Sequence, residues 1–126
     1  MTVHASVVPV GLGVNSRYVG TDLVLIAAVT TTPMAVCPVC HTHSSHVQSR
    51  NLRTVADLPS HGRRVVWRVT ARRLRCRTAG CSRTVFCERL PAIRSHACAT
   101  DPLVRAQRDV ALAVGGEAGS RLCRRL

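Results

Sequence analysis

"RRVVWRVTARRLRC", Arg63 to Cys76, sets Val65, Trp67, Val69 and Ala71 in alternation with Val66, Arg68, Thr70 and Arg72. A period of two belongs to a β-strand, with one set of side chains turned to a core and the other carrying arginine outward. The alternation slips near Arg72–Leu74, where a bulge is expected. Upstream, Ser60-His61-Gly62 reads as a turn, and Arg50–Leu58 (RNLRTVADL) runs into Pro59 before it. Two strands joined through Gly62 make a hairpin, and its second strand ends on a cysteine.

That cysteine opens the pair Cys76-Arg-Thr-Ala-Gly-Cys81, and 35 residues separate it from an earlier pair, Cys37-Pro-Val-Cys40. Tetrahedral zinc takes four thiolates, two from a tight CxxC turn and two more brought by a hairpin. The spacing therefore predicts a zinc ribbon with Cys37, Cys40, Cys76 and Cys81 as ligands. Two other readings compete with it. A redox CxxC normally opens a helix, whereas His-Thr-His-Ser-Ser follows Cys40 with no helical pattern. A mixed Cys/His site could use His41, His43 or His46, but histidines in a polar loop of a basic chain are expected to be solvated. Cys87, Cys98 and Cys123 are expected to be small buried or semi-buried thiols. A nucleophilic Cys98 paired with His96 has no strand signal to align the two.

Outward from the cysteines, Asp22–Thr31 (DLVLIAAVTT) is short and β-branched and predicts a buried strand ahead of Thr32-Pro33. Residues 1–21 mix Val with Gly, Pro, Ser and Asn and predict a loose leader. Residues 22–92 form the ribbon domain and 93–100 a linker. From Asp101 the spacing turns helical: Asp101 is the expected N-cap, Pro102 suits the first turn, and Leu103, Gln107, Val110 and Val114 share a face. Gly115-Gly116 stops this helix. A second is expected from about Glu117, with Leu122 and Leu126 on one side, so that residues 101–126 read as the start of a helix-turn-helix without its groove-reading element. The fold class is α+β: a small β-rich zinc ribbon followed by two short helices.

Among 126 residues there are eighteen arginines, no lysine and six acidic residues, a net charge of +12. Such a chain seeks polyanions, and Arg both neutralises phosphate and forks onto base edges. Only Tyr18, Trp67 and Phe86 are aromatic, which disfavours stacking on single strands and favours a duplex. The apolar run Leu23–Val29 is too short for a signal segment, and nothing approaches the ~20 apolar residues of a membrane span. No membrane partner is expected, and the chain reads as cytoplasmic.

The block CPVC, then RTVADLPSHGRRVVWRVTARRLRC, then RTAGCSRTVFCERLP resembles the N-terminal zinc-binding region of the ISL-three family of bacterial insertion-sequence transposases, over roughly residues 20–126. Its most specific pieces are the ADLP before a Gly turn, the RRLRC strand end, and the run from Cys76 to Pro91. The tail from Asp101 is similar to the opening of the family's helix-turn-helix. The resemblance implies Zn2+ at Cys37, Cys40, Cys76 and Cys81. It also implies binding to the terminal inverted repeats of an insertion sequence, in double-stranded DNA at the nucleoid. Candidate DNA contacts are Arg63, Arg64, Arg68, Arg72, Arg73, Arg75, Arg83 and Arg89.

The family's strand transfer rests on two Asp and one Glu of a separate RNase H-like domain. Asp22, Asp57, Glu88, Asp101, Asp109 and Glu117 do not match that triad. The expectation is a non-catalytic DNA-binding piece, either a decayed remnant or a short product that competes with, and self-associates with, intact transposase. A zinc ribbon serving protein interaction is the alternative, and a thiol enzyme a third class.

Overall fold

The computed structural model describes residues 11–90, 93, 94, 96–124 and 126. Among these residues seven strands and two helices follow one another: β1 (Leu12–Val19), β2 (Leu23–Thr30), β3 (Ala35–Val36), β4 (His43–Ser44), β5 (Val47–Ser60), β6 (Arg63–Arg75), β7 (Val85–Cys87), α1 (Asp101–Val114) and α2 (Gly116–Cys123). The main sheet has the order β1-β2-β6-β5, with β7 joining β6 beyond the end of β2, while β3 and β4 pair separately. The α+β expectation holds.

The hairpin forms as its period requires. β5 and β6 pair antiparallel around His61-Gly62, and Val65, Trp67, Val69 and Ala71 are all buried. The slip near Arg72–Leu74 is real, but the extra residue stands on the partner strand: Leu74 faces Val47 while Arg73 faces Ser49, leaving Gln48 unmatched. Leu74 has the opposite parity to Trp67, so the buried side of β6 changes at that point. Two cores result. The larger gathers Val24, Ile26, Ala28, Val55, Val65, Trp67 and Val69 with Leu90 and Ile93, and the smaller consists of Cys37, Leu74 and Phe86.

β2 is the expected buried strand, and its pairing with β6 is parallel, from Leu23↔Arg64 to Val29↔Thr70. A parallel pair needs a long crossover. Here the crossover is the first cysteine turn together with β5, which places the metal ligands at one end of the sheet.

The loose leader expected over residues 1–21 is corrected where it is described: residues 12–19 are β1, paired antiparallel with β2. Its period is hidden by a bulge, because Val14 faces Ala28 and Ser16 faces Ala27, leaving Asn15 unmatched. Residues 1–10 lie outside the described residues. The segment expected as a linker, 93–100, is docked in its described part: Ala56 N–H donates to the Cys98 carbonyl, Thr100 N–H donates to that of Ala56, and Ile93 is buried. The N-cap of α1 is Thr100 rather than Asp101, its hydroxyl accepting from Leu103 N–H. α1 and α2 meet at Gly119, where an added Cβ would stand 3.6 Å from the Ala111 Cα.

Asp57 joins these parts. Its Oδ2 accepts from Trp67 Nε1 at 2.9 Å, and its Oδ1 accepts from Thr100 Oγ1 at 2.6 Å and from Leu58 N–H at 2.8 Å. One carboxylate thus fixes the hairpin, the buried tryptophan and the first helix, which gives the ADLP stretch a structural purpose. Asp57→Ala leaves the indole N–H and the buried Thr100 hydroxyl without an acceptor. A loss of about 2–3 kcal/mol is expected in denaturant unfolding followed by Trp67 emission.

Candidate metal centre and basic groove

The Sγ atoms of Cys37, Cys40, Cys76 and Cys81 all lie within 4.8 Å of one another. Cys37 Sγ stands 3.9 Å from Cys81 Sγ, and Cys40 Sγ stands 3.5 Å from Cys76 Sγ. Sulfurs at zinc's ~2.3 Å bond length on a tetrahedron are separated by about 3.8 Å. A disulfide would need about 2 Å. The thiols therefore fit a zinc ion between them.

Each pair is presented by its own turn. In the first, Cys37 N–H donates to the Thr42 carbonyl and His41 N–H to that of Cys37, and His41 takes φ of 60°, a left-handed conformation uncommon for a residue with a Cβ. In the second, Cys81 N–H donates to the Thr78 carbonyl, and Gly80 supplies the φ of 82° that closes the turn. Ser44, buried beside the first turn, donates from Oγ to the Arg75 carbonyl at 2.6 Å and ties it to the end of β6.

The electrostatics match a site built for a cation. Hydrogen bonds from the Thr78 hydroxyl, then from the side chain and N–H of Thr42, bring Cys40 down to about 5. The Cys40 N–H is the largest of the contacts that lower Cys37. At Cys81 the Arg83 N–H favours the thiolate, but burial and the three neighbouring sulfurs together outweigh it and push the thiol up to about 11. Thiolates crowded this closely need a positive ion among them.

Residues 33–81 match the family model described as the zinc-finger of transposase IS204/IS1001/IS1096/IS1165. Over these residues the chain is similar to a transposase-type zinc ribbon, and the four clustered cysteines fit that match. No curated relative and no solved structure matches the chain. The ribbon's four cysteines form the one cluster of metal-ligating side chains among the described residues. His41, His43 and His46 are exposed and stand outside it.

The remaining cysteines depart in part from expectation. Cys87 and Cys98 are exposed and only Cys123 is half-buried, its thiol donating to the Gln107 carbonyl. In β7 the alternation gives the inward position to Phe86, which leaves Cys87 outside.

The eight arginines singled out in the sequence do not form one surface. Arg64 and Arg68 are exposed on the sheet face opposite Trp67. Arg63 Nε donates to the Gly20 carbonyl at 2.8 Å. Arg75 is exposed at the strand end beside the second cysteine turn. Arg72 is not a free cation: Glu88 holds its Nε at 2.7 Å, and the side chains are 13% and 2% exposed.

Arg73, Arg83 and Arg89, all exposed, line a groove of about 760 Å³ with Arg72. Two further arginines in its lining, Arg53 and Arg94, were not among the candidates. Arg53 sits on the core-side register of β5, opposite Val69, and only that register reveals it.

No helix among the described residues is long and apolar enough to cross a membrane.

Proposed function

We propose that this zinc-ribbon protein binds double-stranded DNA, specifically the terminal inverted repeats of an insertion sequence, and works at the nucleoid in the cytoplasm. Zinc fixes the two cysteine turns, and the turns fix the arginines around them. Phosphate contacts dominate, and the two helices serve as the opening of a helix-turn-helix. The observation that carries this reading is a transposase-type zinc ribbon in which the side chains of Arg64, Arg68, Arg73, Arg75, Arg83 and Arg89 are exposed and make no hydrogen bond or ion pair among the described residues. The module contributes binding and no phosphodiester chemistry of its own. In support, Asp57, Glu88 and Asp101 are each held by side chains of the fold rather than gathered for a metal.

Gel-shift titration of duplex DNA across a salt series tests it. Four or five phosphate contacts give a slope of log K against log salt of about −4, at about −0.9 per contact. One observation favours a protein-interaction module instead: Leu112 is 79% exposed and Val114 50%, apolar side chains of α1 open to a partner. That reading predicts a flat salt response and no competition by nucleic acid.

A further inference from the structure

The groove beside the metal centre has more positive charge than the fold uses. Among the described residues, six arginines and two carboxylates line it. Both carboxylates are already engaged, Glu88 by Arg72 at 2.7 Å and Asp101 by Arg94 at 3.5 Å. Arg53 is anchored at the rim, its Nη2 donating to the Ala97 carbonyl at 2.7 Å. Arg73, Arg83 and Arg89 arrive from three different segments: β6, the loop after the second cysteine turn, and the loop after β7. None of the three side chains has a hydrogen-bonding or charged partner among the described residues. Like charges brought together without a counter-charge repel, and no buried group in this groove requires them, so the arrangement calls for an anion from outside.

The lining also says what kind of anion. Among the described residues no Phe, Tyr or Trp contributes and His96 is the one ring, so bases have little to stack on. Ala71, Leu90 and Ile93 are buried and leave the exposed guanidiniums, with Asn51 and His96, as the groove's donors. Planar guanidinium forks suit phosphate oxygens. Resting on the DNA-binding reading above, the geometry points to this groove, and not to the outer face bearing Arg64 and Arg68, as the track for a DNA phosphate backbone. The first cysteine turn supplies one wall through Val36 and Pro38, so metal binding and DNA binding share a boundary.

The test uses the zinc-loaded full chain and a random-sequence duplex. An Arg73→Ala/Arg83→Ala/Arg89→Ala variant is compared with Arg64→Ala/Arg68→Ala. All five side chains are exposed, and zinc content with Trp67 emission verifies the fold of both variants. The groove variant lowers the magnitude of the salt slope by about 2.7, three contacts at about 0.9 each, and the outer-face variant leaves it unchanged. An equal or larger loss in the outer-face variant overturns the groove while leaving DNA binding intact; absence of salt-dependent binding in the unmodified chain overturns the parent reading. Cys87, exposed and paired in register with Arg73, gives an independent readout. Duplex DNA slows its alkylation by iodoacetamide in a Cys98→Ser/Cys123→Ser background. Equal protection by polyglutamate would assign the groove to an acidic protein instead.

Discussion

Replacing Cys76 by alanine removes stoichiometric zinc and unfolds the metal end of the protein while the Trp67 core persists. The two cores make the difference. The larger one buries Val24, Ile26, Val55, Val65, Trp67 and Val69 across three strands. The smaller buries only Leu74 and Phe86 beside Cys37, with Ala35, Val47 and the other three cysteines partly buried around them. Burying a large apolar side chain contributes roughly 1.5–3 kcal/mol, so two such residues cannot order two cysteine turns and β7 against chain entropy of about 1–2 kcal/mol per residue. The metal must make up the balance, as structural zinc does in small domains. Three thiolates left at the site cannot close the tetrahedron. Elemental analysis should give one zinc per chain for the unmodified protein and none for the variant. Hydrogen exchange should show lost protection over residues 35–44 and 74–87, with that of 24–28 and 65–69 retained. Duplex binding falls with it, because Arg83, Pro38 and Val36 stand on the segment that melts. Retained protection in the metal-free chain would show that the turns hold themselves.

How much of this could be read beforehand follows from where each signal sits. The cysteine pairs were legible because zinc chemistry imposes spacing within a few residues, and the hairpin was legible because β6 alternates over Val65–Ala71 and a Gly turn precedes it. β1 was not: the bulge at Asn15, with Gly13 and Ser16 on either side, breaks the period that would mark it. The parallel partnership of β2 with β6 joins segments some forty residues apart and leaves no local trace. The groove fails for a related reason. Arg53 and Arg94 reach it through strand register and through the docked segment before α1, so their position along the chain says nothing of their common location. Arg72 misled in the opposite direction. It stands in an arginine-rich strand at an outward parity, and only the return of the chain through β7 brings Glu88 over it.

Glu88→Ala is expected to cost about 3–5 kcal/mol, the range for a buried ion pair that loses one partner. Its position in the sheet argues for the upper part. On one edge of β6, β2 pairs as far as Thr70 and β7 begins at Arg73. The main-chain N–H of Arg72 falls in that gap, and Glu88 Oε2 accepts it at 2.7 Å, together with the Arg72 Nε at 2.7 Å and the Thr30 hydroxyl at 3.3 Å. Oε1 accepts from Arg72 Nη2, which also donates to the Thr32 carbonyl. The carboxylate thus fills a missing rung of the ladder and joins the ends of β2 and β7 to β6. Its removal leaves a guanidinium, a main-chain N–H and a hydroxyl short of an acceptor at once. Glu88→Gln keeps one oxygen for the N–H and is expected to recover about half of the loss. A double replacement, Arg72→Met/Glu88→Leu, removes the unpaired charge but not the orphaned N–H, so it should stop short of full recovery, unlike an isolated buried pair exchanged for apolar residues. Denaturant unfolding followed by Trp67 emission, at fixed free zinc because the metal stabilises the same fold, measures all three. Arg72→Ala should then fail in DNA binding through lost stability, and raising the protein's stability with excess zinc should restore its binding where it cannot restore that of the Arg73→Ala/Arg83→Ala/Arg89→Ala variant.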